Sequence, residues 1–266
     1  ARRMRPCSFS LSRRLSKALP LLSVMAQAAN AAVTDKGCRL ILVRHGETES
    51  NTKFNGVSAA DVTKTADAAF PELKVLDTPL TERGREQTHY VVEYLAGAVA
   101  AMRASGRDVK VTIMSSRLSR AARAAAEFAF LLSDGYFVGP YTEPVNMERY
   151  GEEQVAAAGV ATHVDFADYE AKSLRAARGI WEKEFRSSDA ETHLIVVFTH
   201  SLFMSYVTQT LLDMPVSEKP KFHHPNICMS EFGFADGEWH ALYIASTHHI
   251  PAERITGRHG MNTVKE

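Results

Sequence analysis

The sequence predicts a three-layer α/β/α sandwich around a mainly parallel sheet with an antiparallel edge. Three observations support this fold class. Short aliphatic runs alternate with longer amphipathic stretches, as they do when buried parallel strands are joined by covering helices. Two apolar segments near the C-terminal end are joined by Asp236-Gly237, a dipeptide typical of hairpin turns. The chain has 266 residues, of which 45% are hydrophobic, and this is enough for one sizeable core.

The individual elements follow from the spacing of apolar residues. Continuous aliphatic runs predict strands, and apolar residues at every third or fourth position predict helices. The predicted order is a strand over Leu40–Val43, a helix over Thr81–Met102, a strand over Val109–Met114, a helix over Leu118–Leu132, an amphipathic helix over Phe166–Phe185, a strand over Leu194–Phe198, a helix over Leu202–Leu212, and a hairpin of Ile227–Phe234 with Trp239–Ala245. We expect residues 35–266 to form a single domain.

The balance of acidic and basic residues argues against a highly charged partner, such as a nucleic acid, that would be attracted by the net charge of the protein. Lysine and arginine together number 31, as do aspartate and glutamate, so the formal net charge is zero. A nucleic-acid binder normally carries an excess of positive charge. Cys7, Cys38 and Cys228 are widely spaced and match neither a metal-ligand pattern nor a disulfide framework. We therefore expect no nucleic-acid partner, no metal and no cofactor, and a reducing compartment is the simpler inference.

Residues 1–34 differ in composition from the rest of the chain. They contain no acidic residue, and basic residues alternate with serines before the apolar stretch Ala18–Met25. This pattern is typical of a mitochondrial or other organellar transit peptide, and a secretory signal is the rival interpretation. A start at Met25 would instead remove the leader and leave a cytoplasmic protein. The apolar stretch is far shorter than the roughly twenty residues that span a bilayer, so we expect no membrane partner.

Two of the predicted core strands run directly into a histidine. Leu40–Val43 continues into Arg44-His45-Gly46, and Leu194–Phe198 continues into Thr199-His200-Ser201. Ligands of open α/β sheets bind just beyond the carboxyl ends of parallel strands. A lone histidine is usually structural, but the repeated context of strand, histidine, small residue and helical pattern distinguishes this pair. We predict that both histidines line a functional site.

The segment Leu42–Asn51, LVRHGETESN, resembles the Arg-His-Gly motif of the histidine phosphatase superfamily, which includes phosphoglycerate mutases and many phosphatases. Further motifs follow in the family's order, namely DTPLTERG at 77–84, SSRLSRA at 115–121 and THS at 199–201. The resemblance extends approximately from Cys38 to Pro251. It implies a phosphoglycerate mutase-like fold and a phosphohistidine intermediate at His45, whose other ring nitrogen is held by a backbone carbonyl.

The chemistry of a phosphoryl group agrees with these roles. Its oxygens need fixed donors, and a guanidinium supplies two at once while staying charged. We therefore expect Arg44 and Arg120 to clamp the phosphate. Neutral imidazole is nucleophilic near neutral pH, so His45 is expected to attack phosphorus. His200 is expected to donate a hydrogen bond to the phosphoryl oxygens, as a neutral or a cationic imidazole.

Two polar residues after the first motif are further candidates. Asn51 matches a family position that contacts the phosphate, and its amide would add a donor without adding charge. The alternative is an asparagine that caps a helix or stabilises a turn. Thr48 has the same two interpretations, because its hydroxyl could contact substrate or cap the helix-like segment that follows.

A departing alcohol needs a proton, and a carboxylic acid beside an anionic phosphate has a raised pKa suited to supplying it. The segment 140–151, PYTEPVNMERYG, resembles the family's pattern of proline, short strand, glutamate and glycine. It identifies Glu148 as the expected acid. The alternatives in the same stretch are Glu143, Glu152 and Glu153, each of which is otherwise a solvated surface residue.

The segment 57–76 is longer than the family pattern requires. It is alanine-rich and mixed in charge, so a short helix that roofs the pocket and a surface loop are both compatible with it. Lys53 and Lys64 are candidates to contact a second phosphate of a substrate, although exposed lysines usually serve only solubility.

Three functions are consistent with these motifs. The first is a phosphatase that hydrolyses a small phosphorylated metabolite, the second is a phosphoglycerate mutase, and the third is a catalytically idle binding module. The family's mutases carry an arginine-rich segment followed by a proline run in a region that corresponds to residues 151–192, and this chain has no such combination there. That difference favours hydrolysis. An idle module would have no chemical reason to keep every pocket residue.

Overall fold

The computed structural model describes residues 37–53, 78–116, 118–132, 174–216 and 221–257. In chain order these ranges contain β1 (Gly37–Arg44), α1 (Glu49–Lys53), α2 (Glu82–Ala104), β2 (Val109–Ser115), α3 (Ser119–Leu132), α4 (Arg175–Arg186), β3 (Thr192–Thr199), α5 (Ser201–Leu211), β4 (Met229–Ala235), β5 (Glu238–Ser246) and a 3₁₀ turn at Ala252–Arg254. Within the same ranges, no helix combines the length and the hydrophobicity needed to cross a lipid bilayer.

The strands form one mixed sheet in the order β2-β3-β1-β4-β5. The strands β2, β3 and β1 run parallel to one another. The last two strands are antiparallel, because β4 pairs with β1 and β5 pairs with β4 as a hairpin. The predicted sheet, parallel in its core with an antiparallel edge, is therefore confirmed.

Helices cover both faces of this sheet. Successive side chains of a strand point to opposite faces, so a strand covered on both sides must be apolar throughout. In β1, Leu40 and Leu42 belong to the core cluster that includes residues of α4 and α5. Ile41 and Val43 belong to the second cluster, which includes residues of α2 and α3. The alternation explains the uninterrupted aliphatic run and confirms the three-layer architecture.

The element boundaries differ from the predictions in two informative places. Arg44 is the last residue of β1, where it pairs with Thr199 of β3, so the strand carries the arginine to the sheet edge. The final hairpin begins at Met229 and not at Ile227, so the predicted start is wrong. Ile227 has a φ of 62°, a left-handed conformation outside the extended region of a regular strand. Of the predicted helix Phe166–Phe185, residues 166–173 lie outside the described residues.

Candidate active site

The register of β1 and β3 brings the two predicted histidines together. Because these parallel strands end at the same level, the next residues, His45 and His200, emerge side by side at the carboxyl edge. Their ring centroids are 5.1 Å apart, and the ring planes are inclined by 58°. The N–H of His45 also donates to the carbonyl of Thr199, at 3.0 Å. The site therefore lies at the edge where parallel sheets bind ligands.

A backbone carbonyl fixes the tautomer of His45. Its Nδ1 lies 2.7 Å from the carbonyl oxygen of Gly46, which can only accept a hydrogen bond. Nδ1 therefore carries the proton, and Nε2 keeps its lone pair. Burial lowers the pKa of His45 well below its usual value, and the nearby His200 and arginines lower it further, whereas the Gly46 contact opposes the change. The imidazole is thus held neutral, with Nε2 available as a nucleophile.

The main chain of His45 is also held in place on its carbonyl side. The carbonyl accepts the backbone N–H of Ile227 at 3.3 Å and the side-chain amide Nδ2 of Asn226 at 3.2 Å. The left-handed conformation of Ile227 presents that N–H to the turn. The apolar pattern placed Ile227 in a closing strand and gave Asn226 no role, so it did not reveal the contact of either residue with His45.

Arg44 is a buried cation, and one of its N–H donors has no hydrogen-bond partner among the described residues. Its Nη1 donates to the carbonyl of His224 at 2.6 Å, and its Nε has no hydrogen-bond partner among the described residues. Burial is the main cause that lowers the pKa of Arg44 to about 10, and Arg120 contributes; the residue still stays charged at neutral pH. An unsatisfied buried guanidinium N–H is costly, so this arrangement favours an anion as its partner.

Arg120 brings a second positive charge to the same edge. It lies in the first turn of α3, the helix that follows β2 in the chain. Its charge lowers the pKa of Arg44, His45 and His200, so it is close to all three. The structure therefore brings together both predicted arginines and both predicted histidines, although these residues come from widely separated parts of the chain.

His200 contacts a residue to which the sequence assigned no role. Its Nε2 lies 2.9 Å from Oγ of Ser116, and its Nδ1 is buried without a hydrogen-bond partner among the described residues. Burial, followed by Arg120 and Arg44, lowers the pKa of His200 well below its usual value. Of the two forms expected, the neutral imidazole is therefore favoured over the cation. The position of Ser116 within the SSRLSRA motif was the only available signal.

Asn51 and Thr48 form a reciprocal cap at the start of α1. The backbone N–H of Thr48 donates to Oδ1 of Asn51 at 3.2 Å, and the N–H of Asn51 donates to Oγ1 of Thr48 at 3.3 Å. Oδ1 of Asn51 also accepts from Nδ2 of Asn226 at 3.1 Å. The capping interpretation thus accounts for these contacts. A contact between the amide nitrogen of Asn51 and the phosphate stays a prediction.

The DTPLTERG motif holds the turn that follows His45. A Cβ on Gly46 would overlap the backbone of Gly84, and a Cβ on Gly84 would stand 1.9 Å from the carbonyl oxygen of Glu47. Thr81 caps α2 by accepting the N–H of Gly84 at 2.9 Å, and its hydroxyl donates to Oε1 of Glu47, also at 2.9 Å. Oε1 of Gln87 accepts the N–H of Glu47 at 2.8 Å. The start of α2 therefore packs against the turn that follows His45 and holds it through hydrogen bonds to Glu47.

Several predicted features lie outside the described residues. They are the acid candidates Glu143, Glu148, Glu152 and Glu153, the leader 1–34, the segment 57–76 with Lys64, and the side chain of Lys53. Among the residues that are described, no group of three or more His, Cys, Asp or Glu side chains is placed to hold a metal ion.

The chain is similar to known proteins in its structure and in its match to one family model. No curated protein sequence matches the chain significantly. A mycobacterial glucosyl-3-phosphoglycerate phosphatase is similar in structure, with 19% identity, coverage of 80% of this chain and 100% of its own, and a TM-score of 0.50. A phosphoserine phosphatase mutant from Entamoeba histolytica, solved with phosphoserine, has 20% identity, coverage of 80% and 99%, and a TM-score of 0.49.

The family model of the histidine phosphatase superfamily (branch 1) matches residues 40–135 and 142–247. These matched ranges make up most of the chain and include both strand-end histidines, so this chain belongs to the histidine phosphatase superfamily.

Proposed function

We propose that this protein is a phosphatase that hydrolyses a small phosphorylated metabolite through a phosphohistidine at His45. The contact between Nδ1 of His45 and the Gly46 carbonyl is the observation that carries this proposal. It fixes the one tautomer in which Nε2 is a nucleophile, and it does so in a buried site with two guanidinium groups nearby.

The reaction has two displacements at phosphorus. Nε2 of His45 forms a bond to phosphorus as the ester P–O bond breaks, and the departing alcohol takes a proton from the acid, for which we propose Glu148. Water then attacks phosphorus, the P–N bond breaks, and inorganic phosphate leaves. The proton released by the water returns to the carboxylate of Glu148, so the protein ends in its starting form.

The charges of the site suit a phosphoryl group in transfer. Catalysis of this reaction is mainly positioning and electrostatic stabilisation of the peripheral oxygens. Two guanidinium groups, Arg44 and Arg120, balance the charge of a phosphate dianion, and neither has to be brought in when the reaction occurs. His200 adds a neutral donor. An anion that accepts from Nε of Arg44 would also satisfy a buried donor that has no partner among the described residues.

Hydrolysis is favoured over the two other functions considered. A mutase must protect its phosphohistidine from water and retain a bisphosphate, and this chain lacks the arginine-rich and proline-rich segment expected for that in residues 151–192. An idle module that only bound phosphate would gain more from the opposite tautomer of His45, because a proton on Nε2 would donate to a phosphoryl oxygen whereas a lone pair repels it. The fixed tautomer therefore supports a catalytic role.

The decisive experiment combines a substrate screen with trapping of the phosphoenzyme. The full chain is assayed with small phosphomonoesters, bisphosphates and 3-phosphoglycerate, with and without a chelator, and is then quenched during turnover of radiolabelled substrate. We expect phosphate release without mutase product, an acid-labile label on the protein, and no effect of the chelator. In His45→Ala, label and turnover should be lost, whereas the same substitution at the exposed His240 should leave both intact. Label that survives in His45→Ala, or mutase product in place of phosphate, would contradict the proposal.

A further inference from the structure

We infer that Ser116 is a positioning residue that holds His200 in the tautomer protonated at Nδ1. The catalytic consequence of this inference rests on the proposed function, but the tautomer itself does not. Ser116 is completely buried and is the first residue after β2. Its backbone N–H donates to the carbonyl of Phe198 at 3.0 Å, so it is fixed to the same strand that carries His200.

The direction of the bond between Ser116 and His200 follows from counting protons. The serine hydroxyl has a single proton, and its oxygen already accepts the backbone N–H of Leu118 at 3.3 Å. Nε2 of His200, at 2.9 Å, is its other hydrogen-bond partner within the described part of the chain. If Nε2 donated to Oγ, the serine proton would have no acceptor there. The satisfied arrangement is therefore donation from Ser116 to Nε2.

Acceptance at Nε2 places the imidazole proton of His200 on Nδ1. That nitrogen is buried and has no partner among the described residues, so it is a donor that an anionic oxygen can satisfy. The opposite tautomer would leave a lone pair on Nδ1, which would repel a phosphoryl oxygen. The cation would supply donors on both nitrogens, but the lowered pKa of His200 disfavours it. The hydroxyl of Ser116 thus keeps the proton of a neutral His200 on Nδ1, which can donate to a phosphoryl oxygen although the ring carries no positive charge.

This arrangement makes the two histidines complementary. In His45 the Gly46 carbonyl accepts from Nδ1 and frees a lone pair on Nε2. In His200 a hydroxyl donates to Nε2 and frees a proton on Nδ1. One neighbour is an acceptor and the other is a donor, so two chemically identical rings acquire opposite functions. Neither ring has to titrate for the difference to be maintained.

The test measures the tautomer directly and activity separately. The ring nitrogen shifts of His200 are recorded by heteronuclear NMR in the full chain, with assignment by His200→Gln. Spectra and kinetics are then compared for Ser116→Ala, for Ser116→Thr, which keeps a hydroxyl, and for the neighbouring buried control Ser115→Ala. We expect protonated Nδ1 in the unaltered protein. In Ser116→Ala we expect a mixed tautomer and a fall in kcat of about 10- to 100-fold, the range found when a hydrogen-bond partner that orients a metal-binding histidine is lost. KM should change little.

Each outcome separates this inference from the proposed function. A proton on Nε2 of His200 in the unaltered protein overturns the inference without any variant, so a folding failure of Ser116→Ala does not protect it. An active protein in which Ser116→Ala matches Ser115→Ala in tautomer and kcat also overturns it, while the phosphatase proposal stands. A protein that hydrolyses no phosphomonoester but shows the expected tautomer, lost in Ser116→Ala and kept in Ser116→Thr, supports the positioning role and refutes the proposed function.

Discussion

The ring centroids of His45 and His200 lie 5.1 Å apart in a buried site. At that distance a proton on one ring makes protonation of the other ring less favourable. The charges of Arg44 and Arg120 also disfavour protonation of both rings. The histidines therefore stay neutral while the arginines carry the positive charge. This division leaves both imidazoles neutral, as the proposed nucleophile His45 and the proposed donor His200 require, and leaves the positive charge to the guanidinium groups.

The first prediction concerns the titration of His45. An imidazole attacks phosphorus only when it is deprotonated, and burial holds the pKa of His45 well below 6.5. Because the active form persists at every pH above that pKa, a lowered value extends it toward acid. We expect the ring proton signals of His45 in an NMR titration to show no transition near pH 6.5, where free histidine titrates. A midpoint close to 6.5 for His45 would contradict the assignment.

The second prediction separates charge from geometry at the arginines. Arg44→Ala and Arg120→Ala should each lower kcat/KM by about 10²-fold or more, as loss of a preorganised donor does elsewhere. Lysine at either position keeps the charge but lacks the planar fork, so it should restore only part of the activity. The control is Arg186→Ala, which removes an exposed arginine paired with Glu182 on α4. Near-normal kcat/KM in folded Arg120→Ala would rule out the clamp.

Local patterns were sufficient to predict the elements and the two strand-end histidines. The aliphatic runs of β1 and β3 are long and uninterrupted, and the position of a ligand site at their carboxyl ends is a general property of parallel sheets. Arg44 and His45 could therefore be placed before any tertiary contact was known. His200, which follows β3, was placed by the same local pattern, whereas Arg120 of α3 followed from the order of motifs in a known family.

The supporting contacts could not be predicted in the same way, because they join residues far apart in the chain. Ser116 meets His200 across 84 positions, and Asn226 meets the carbonyl of His45 across 181. The spacing of apolar residues along the chain cannot indicate a contact between residues so far apart. Ile227 has the apolar side chain of a strand residue, and nothing in the local sequence indicates its left-handed backbone or the contact of its N–H with the His45 carbonyl.

The third prediction uses two glycines of the same helix. In Gly84→Ala the new methyl group would stand 1.9 Å from the Glu47 carbonyl oxygen, so the turn after His45 must move. We expect a loss of about 1–3 kcal/mol in the free energy of unfolding, the usual cost of overpacking, together with a clear fall in kcat. Gly97 has no atom within 4 Å of its Cβ position, so Gly97→Ala should stabilise α2 by about 0.5–1 kcal/mol. Equal effects of the two substitutions would refute this account.

The fourth prediction concerns stability in mild acid. His224 is completely buried, and burial, with Arg44 and His223, lowers its pKa to about 4. Between pH 6.5 and 4 the unfolded chain therefore takes up a proton at this residue that the folded protein excludes. Stability should fall as pH falls, and this one group contributes about 1.4 kcal/mol per pH unit.

Urea unfolding at several pH values across that window tests the contribution of His224. His224→Gln should reduce the slope of the unfolding free energy against pH by about 1.4 kcal/mol per pH unit relative to the unaltered protein, which corresponds to the uptake of one proton. The same substitution at the exposed His240 serves as the control for replacing a histidine. An unchanged slope in His224→Gln would show that the folded protein accepts the proton at this position.

The last prediction identifies the acid. If Glu148 protonates the departing oxygen, the effect of Glu148→Gln must depend on how much the leaving group needs a proton. Hydrolysis of alkyl phosphates should slow strongly, because an alkoxide is a poor leaving group. Hydrolysis of p-nitrophenyl phosphate should be partly spared, because its phenolate leaves unaided. Glu143→Gln and Glu152→Gln are matched controls from the same segment and should slow both substrates little. Equal losses on both substrates in Glu148→Gln would indicate a binding or structural role, and a selective loss in either control would move the acid to that residue.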